Sequence, residues 1–116
     1  MIKHIKHTEV RTLSVGIARD SATVYAYASQ PENLPHWAAG LGMGIQRNGD
    51  HWLIKTPQGA LRLDFAPQNK LGVLDHTVTL ADGSEVYVPM RVVPNGGGSE
   101  VSLTLFRQPE MGRHGL

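Results

Sequence analysis

The sequence predicts a single α+β domain, with one curved antiparallel sheet of about seven strands and two short helices placed after the first strand. Three observations predict it. Helical spacing is clear only between Asp20 and Ser29, with a short second helix from Pro31 to Trp37. Beyond that, 13 Gly and 7 Pro in 116 residues divide the chain at strand-length intervals. Closing hairpins at the turn signals then gathers apolar residues onto one face.

The elements follow in order. Glu9 to Ala18 alternates Val and Ile and reads as the first strand. Asp20 is an N-cap for a helix whose Val24, Tyr27 and Ala28 share one face. Pro31 suits the first turn of the second helix, which Gly40, Gly42 and Gly44 end. A two-residue turn at Asn48-Gly49 pairs Arg47 with Asp50, Ile45 with Trp52 and Met43 with Ile54. A turn over Thr56 to Gly59 sets Ile54 opposite Leu61 and Trp52 opposite Leu63. Asp82-Gly83, read as a second two-residue turn, sets Val88 opposite Thr77 and Met90 opposite Asp75. A turn over Asn95 to Gly98 sets Val92 with Val101, Met90 with Leu103 and Val88 with Leu105.

The expected inner face therefore holds Met43, Ile45, Trp52, Ile54, Leu61, Leu63, Phe65, Val73, Val86, Val88, Met90, Val92, Val101, Leu103 and Leu105, with Asp75, Thr77 and Thr79 as polar exceptions. Arg62, Asp64, His76, Arg91, Ser102 and Thr104 are expected on the outer face. One packed and one wet face is the usual arrangement of such a sheet.

Composition excludes several function classes. Eleven basic and ten acidic side chains leave a net charge of +1, which offers no basic footprint for nucleic acid. The absence of cysteine excludes disulfides, thiolate metal sites and a Cys nucleophile. Met1 to His7 is basic with no apolar stretch behind it, unlike a signal peptide, and no apolar run nears the about 18 residues of a membrane helix. A cytoplasmic protein with no nucleic-acid or membrane partner is expected. No HExxH spacing supports a metal among the six His, and no cofactor motif is present. Gly96-Gly97-Gly98 reads as a hairpin tip, because no helix follows it to bind phosphate.

The order strand, helix, short helix, six strands resembles the START-like, Bet v 1-like superfamily (SRPBCC, polyketide cyclase/dehydrase-like). The residues that carry the resemblance are Val24-Tyr25-Ala26-Tyr27, Pro31-Glu32-Asn33-Leu34-Pro35-His36-Trp37, Gly72 to His76, Val88 to Val93 and Ser99 to Arg107. It spans roughly residues 9–107 and implies a helix-grip architecture, in which the sheet holds a long C-terminal helix over an apolar cavity. Residues 108–116 include Pro109, Gly112 and Gly115 and are too few for a stable helix, so that helix is expected to be missing.

The expected function is binding of a small apolar or amphipathic ligand, with Trp37, Trp52, Phe65, Asp75, Thr77, Met90 and Leu103 as candidate wall residues and no catalytic residue assigned. The resemblance also implies two alternatives. One is a cyclase or dehydratase using Asp75 as acid/base, since a carboxylate on an apolar face is hydrogen-bonded, shifted or used. The other is an interaction module related to activators of a heat-shock ATPase. Without its helix the apolar face needs a cover, and a homodimer is the expected solution.

Overall fold

Among the described residues, eight antiparallel strands hydrogen-bond in two sheets, of three and five strands, where one sheet of about seven was expected. The structure is a computed structural model and describes residues 9–37, 44–57 and 59–107. Expectations about Met43, Gly40, Gly42 and residues 108–116 lie outside the described residues. In chain order the elements are β1 (Val10–Ile17), α1 (Ser21–Ala28), a 3-10 turn (Pro31–Asn33), α2 (Leu34–Trp37), β2 (Gly44–Asn48), β3 (His51–Thr56), β4 (Gly59–Phe65), β5 (His76–Thr79), β6 (Glu85–Val88), β7 (Met90–Asn95) and β8 (Gly98–Phe106). The strand orders are β1-β8-β7 and β2-β3-β4-β5-β6.

Local chemistry accounts for the helices. The Asp20 carboxylate caps α1 by accepting from the Thr23 N–H at 3.1 Å and the Thr23 hydroxyl at 2.7 Å. One turn apart, Val24 and Ala28 bury the same side of α1. Pro31 opens the 3-10 turn, where its missing N–H costs no hydrogen bond.

Two hairpins have the expected register. Trp52 faces Leu63 and Ile54 faces Leu61, while Met90 faces Leu103 and Val92 faces Val101. The β2–β3 hairpin differs by one pair. Asn48 faces His51 and Ile45 faces Ile54, because Gly49, at φ 64°, forms the turn with Asp50. A shift of this parity leaves every side chain on its expected face.

The β5–β6 hairpin corrects the expectation in a way that matters. Its turn has three residues, Ala81 to Gly83. The Gly83 N–H donates to the Leu80 carbonyl, the Leu80 N–H donates to Ser84, and Gly83 takes φ 91°. Three-residue hairpin loops of this kind end on a left-handed residue, which Gly83 supplies. His76 therefore faces Val88, and Thr77 faces Tyr87. A one-residue slip turns every side chain over. Leu74, His76 and Val78 lie on the apolar face, while Val73, Asp75, Thr77 and Thr79 lie on the other.

The same register runs on from β6 into β7 and joins the two strand groups. Val73 bridges Arg91, the Leu74 N–H donates to the Met90 carbonyl, and the Val92 N–H donates to the Gly72 carbonyl. Pro89, which has no N–H, falls opposite Asp75 in this ladder. The core divides accordingly. Val24, Ala28, Leu74, Met90, Val92 and Val101 form one cluster, and Leu34, Ile54 and Leu63 form a second. Trp37 packs against both.

Candidate ligand cavity

A cavity of about 510 Å³ lies between α1 and the apolar face of β1, β7 and β8. Val15 and Ile17 come from β1, Met90 from β7, and Val101 and Leu103 from β8. Cross-strand pairing aligns them, since Val15 faces Val101 and Leu103 faces both Leu13 and Met90. On the other side α1 contributes Thr23, Val24, Tyr27 and Ala28, with Arg19 preceding it. Trp37, at the end of α2, is also part of the wall. A hydrogen bond of 3.0 Å between the Tyr27 hydroxyl and His36 Nδ1 ties α2 to α1 beside the cavity.

The sequence-derived candidates separate into three places. Trp37, Met90 and Leu103 come together on the cavity wall. Trp52 and Phe65 are on the same apolar face but belong to the second core cluster, against Leu34, Ile54 and Leu63. Asp75 and Thr77 are on the opposite face, in a groove of about 250 Å³ that Asp64 and Tyr87 also line and that Phe65 and His76 reach at its edge. Val15, Ile17, Arg19, Thr23 and Tyr27 were not among the candidates. The alternation of Leu13, Val15 and Ile17 was the available signal for β1, and pairing β1 with β8 would have placed these residues on the inner face.

Asp75 is 8% exposed, as its residue type demands only when it is well bonded. One carboxylate oxygen accepts from the Met90 N–H at 2.8 Å and from Arg91, and the other accepts from the Tyr87 hydroxyl. This arrangement replaces one backbone bond of the ladder, beside Pro89. In an unbroken antiparallel pair the Met90 N–H would donate to the Leu74 carbonyl. That carbonyl instead contacts His76 Nδ1 at 3.0 Å. A carbonyl only accepts, so Nδ1 carries the proton. Bonding to Asp75 raises the Tyr87 phenol above its ordinary value.

His76 is buried beside Phe65, with ring centroids 5.0 Å apart. The expected outward-facing His76 and inward-facing Asp75 are thus reversed in orientation. Burial holds the imidazole below its ordinary value of 6.5, against opposing contributions from the Leu74 carbonyl and the Asp75 charge. Farther out on the polar face, Asp64 meets His51 at 3.1 Å and Arg62 at 2.8 Å. Burial works to raise the Asp64 carboxyl, but those hydrogen bonds and charges outweigh it and the group lies below its ordinary value. Among the described residues no cluster of three or more His, Cys, Asp or Glu is placed to hold a metal ion. No helix among them is long and apolar enough to cross a membrane.

No family model and no curated protein matches the sequence. Solved structures do match the fold. The truncated norcoclaurine synthase of Thalictrum flavum is 17% identical, with a TM-score of 0.64 over 97% of this chain and 84% of its own. A Mesorhizobium loti protein, MLL2253, is 16% identical, with a TM-score of 0.68 over 91% of this chain and 82% of its own. Ara h 8.0201 is 12% identical, with a TM-score of 0.58 over 92% of this chain and 86% of its own. The chain has the Bet v 1-like fold that these proteins share.

The buried imidazole makes stability depend on pH. Below about 6.5 the unfolded chain protonates His76 while the folded chain resists, so stability falls as pH drops, by at most about 1.4 kcal/mol per pH unit. His76→Gln keeps an N–H donor without a titrating group. Urea unfolding between pH 7 and 5 should show a shallower loss in the variant than in the parent. Parallel curves would contradict this assignment.

Proposed function

We propose that the protein binds one small apolar or amphipathic molecule in the cavity between α1 and the β1–β8–β7 face. The observation that carries this reading is a space of about 510 Å³ walled by Val15, Ile17, Val24, Met90, Val101 and Leu103. Its size is within the range of drug-sized ligand sites, and apolar walls with few polar groups are their usual composition. Burial of apolar surface, at roughly 25 cal/mol per Å², supplies the driving force. Asp75 does not support the acid/base alternative in its expected form. Its oxygens are engaged by Met90, Tyr87 and Arg91 on the other face of the sheet.

The probe 1-anilinonaphthalene-8-sulfonate tests the reading. Its fluorescence should rise on binding and saturate at one molecule per chain. Val15 lines the cavity yet is 57% exposed on an edge strand, so Val15→Glu leaves the buried core intact. It should weaken binding about tenfold by placing a carboxylate against the probe. An unchanged titration in Val15→Glu would contradict the proposed location.

Two copies covering this face together form part of the same proposal. Leu13, at 51% exposure, continues the cavity wall beside Val15, and exposed apolar patches of this kind favour association. Light scattering at micromolar concentration should give twice the chain mass of 12.7 kDa, and a ligand-free particle of 12.7 kDa would refute the pairing.

A further inference from the structure

Among the described residues β1 ends the three-stranded sheet, with β8 on one side and no strand on the other. The Arg107 N–H donates to the Glu9 carbonyl, and from there to Ile17 each residue of β1 pairs with one residue of β8. Hydrogen-bonded pairs alternate along an antiparallel ladder, so Arg11, Leu13, Val15 and Ile17 bond β8. Val10, Thr12, Ser14 and Gly16 direct their N–H and C=O groups outward instead. Proteins blunt such edges with Pro, Lys, bulges or very short strands. β1 has eight residues, no Pro, no Lys and an unbroken register against β8, and Leu13 and Val15 are exposed on its apolar side.

We infer that two copies of the chain join edge to edge through β1, antiparallel about a twofold axis at Ser14. The inference rests on the pairing of copies proposed above and gives it a geometry. The pattern of the strand selects both the partner and the register. With the axis at Ser14, Leu13 lies opposite the partner's Val15 and Val15 opposite the partner's Leu13, which covers both exposed apolar residues. The same register carries Glu9 toward the partner's Arg19 at each end, a match of opposite charges. Moving the axis by one residue sets Arg11 against the partner's Val15 in one direction and against the partner's Arg19 in the other. The first opposes a charge to an apolar side chain, and the second opposes like charges. A strand complementary to itself fits a second copy, and twofold pairing is the commonest form of self-association. Val15 lines the cavity, so the partner's Leu13 covers its open side and each copy completes the site of the other.

The chain has no cysteine, so a single introduced one reports proximity. Residues facing each other across a hydrogen-bonded antiparallel pair have Cα atoms about 5.5 Å apart, within disulfide reach. Ser14 is on the polar side of β1, so two copies packed apolar face to apolar face would hold these positions apart. Under mild oxidation at micromolar concentration, Ser14→Cys should link into a covalent dimer at least about tenfold faster than Thr12→Cys, whose facing residue in this register is Gly16. Ser14→Pro removes the donor at the axis, and because that N–H points away from β8 the ladder within the chain keeps its bonds. Light scattering should show association weakened at least about tenfold in this variant. A parent dimer in which Ser14→Cys links no faster than Thr12→Cys would overturn the inference while leaving the pairing in place. So would undiminished association of a folded Ser14→Pro. A parent that stays a single chain overturns the pairing and the inference together, and leaves the edge to a strand of another protein. Should Ser14→Pro not fold, the two cysteine variants decide alone.

Discussion

The rest of the structure depends on how the ladder between residues 72–79 and 85–93 passes Pro89. Pro89 lies opposite Asp75 at a non-hydrogen-bonded position, and at the adjacent rung the Met90 N–H donates to the Asp75 carboxylate. Here two neighbouring side chains complete the ladder from opposite faces. The Asp75 carboxylate takes the Met90 N–H, and His76 Nδ1 donates to the Leu74 carbonyl. Arg91 and Tyr87 complete the coordination of Asp75. With the register held there, Leu74, Met90 and Val92 are delivered together to the core beneath α1.

That constraint separates two kinds of chemistry onto opposite faces of the strands. The polar face carries groups that satisfy one another, Asp75 with Arg91, and Asp64 with Arg62 and His51. A network of this kind lowers the Asp64 carboxyl without implying catalysis. The apolar face carries the cavity, where α1 buries Val24 and Ala28 but leaves space over Val101 and Leu103. The space, of about 510 Å³, opens to solvent along the edge strand β1, where Val15 is 57% exposed.

The helices, the two hairpins closed at Thr56–Gly59 and Asn95–Gly98, and the apolar face of β4, β7 and β8 were legible in the sequence. Turn chemistry and side-chain alternation agreed at each of them. Asp82-Gly83 misled because the dipeptide fits a two-residue turn and also the end of a three-residue turn. The two differ by one residue, and one residue exchanges Asp75 for His76 on the inner face. The misplaced Asp75 then drew Thr77 with it into the candidate site. Trp52 and Phe65 illustrate a different limit. Periodicity assigns a side chain to a face, but its position along the sheet follows from tertiary packing, which placed both in the second cluster. Trp37 was recoverable because α2 has to lie against the sheet end.

The central claim is that ligand enters beneath α1 and not the polar groove around Asp75. A residue-by-residue map of amide chemical shifts during titration with 1-anilinonaphthalene-8-sulfonate tests it most directly. The account predicts that the largest changes fall on Ile17, Val24, Val101 and Leu103, with Asp64, Thr77 and Tyr87 unaffected. The opposite distribution, centred on Asp64, Thr77 and Tyr87 with the cavity residues unmoved, would contradict it.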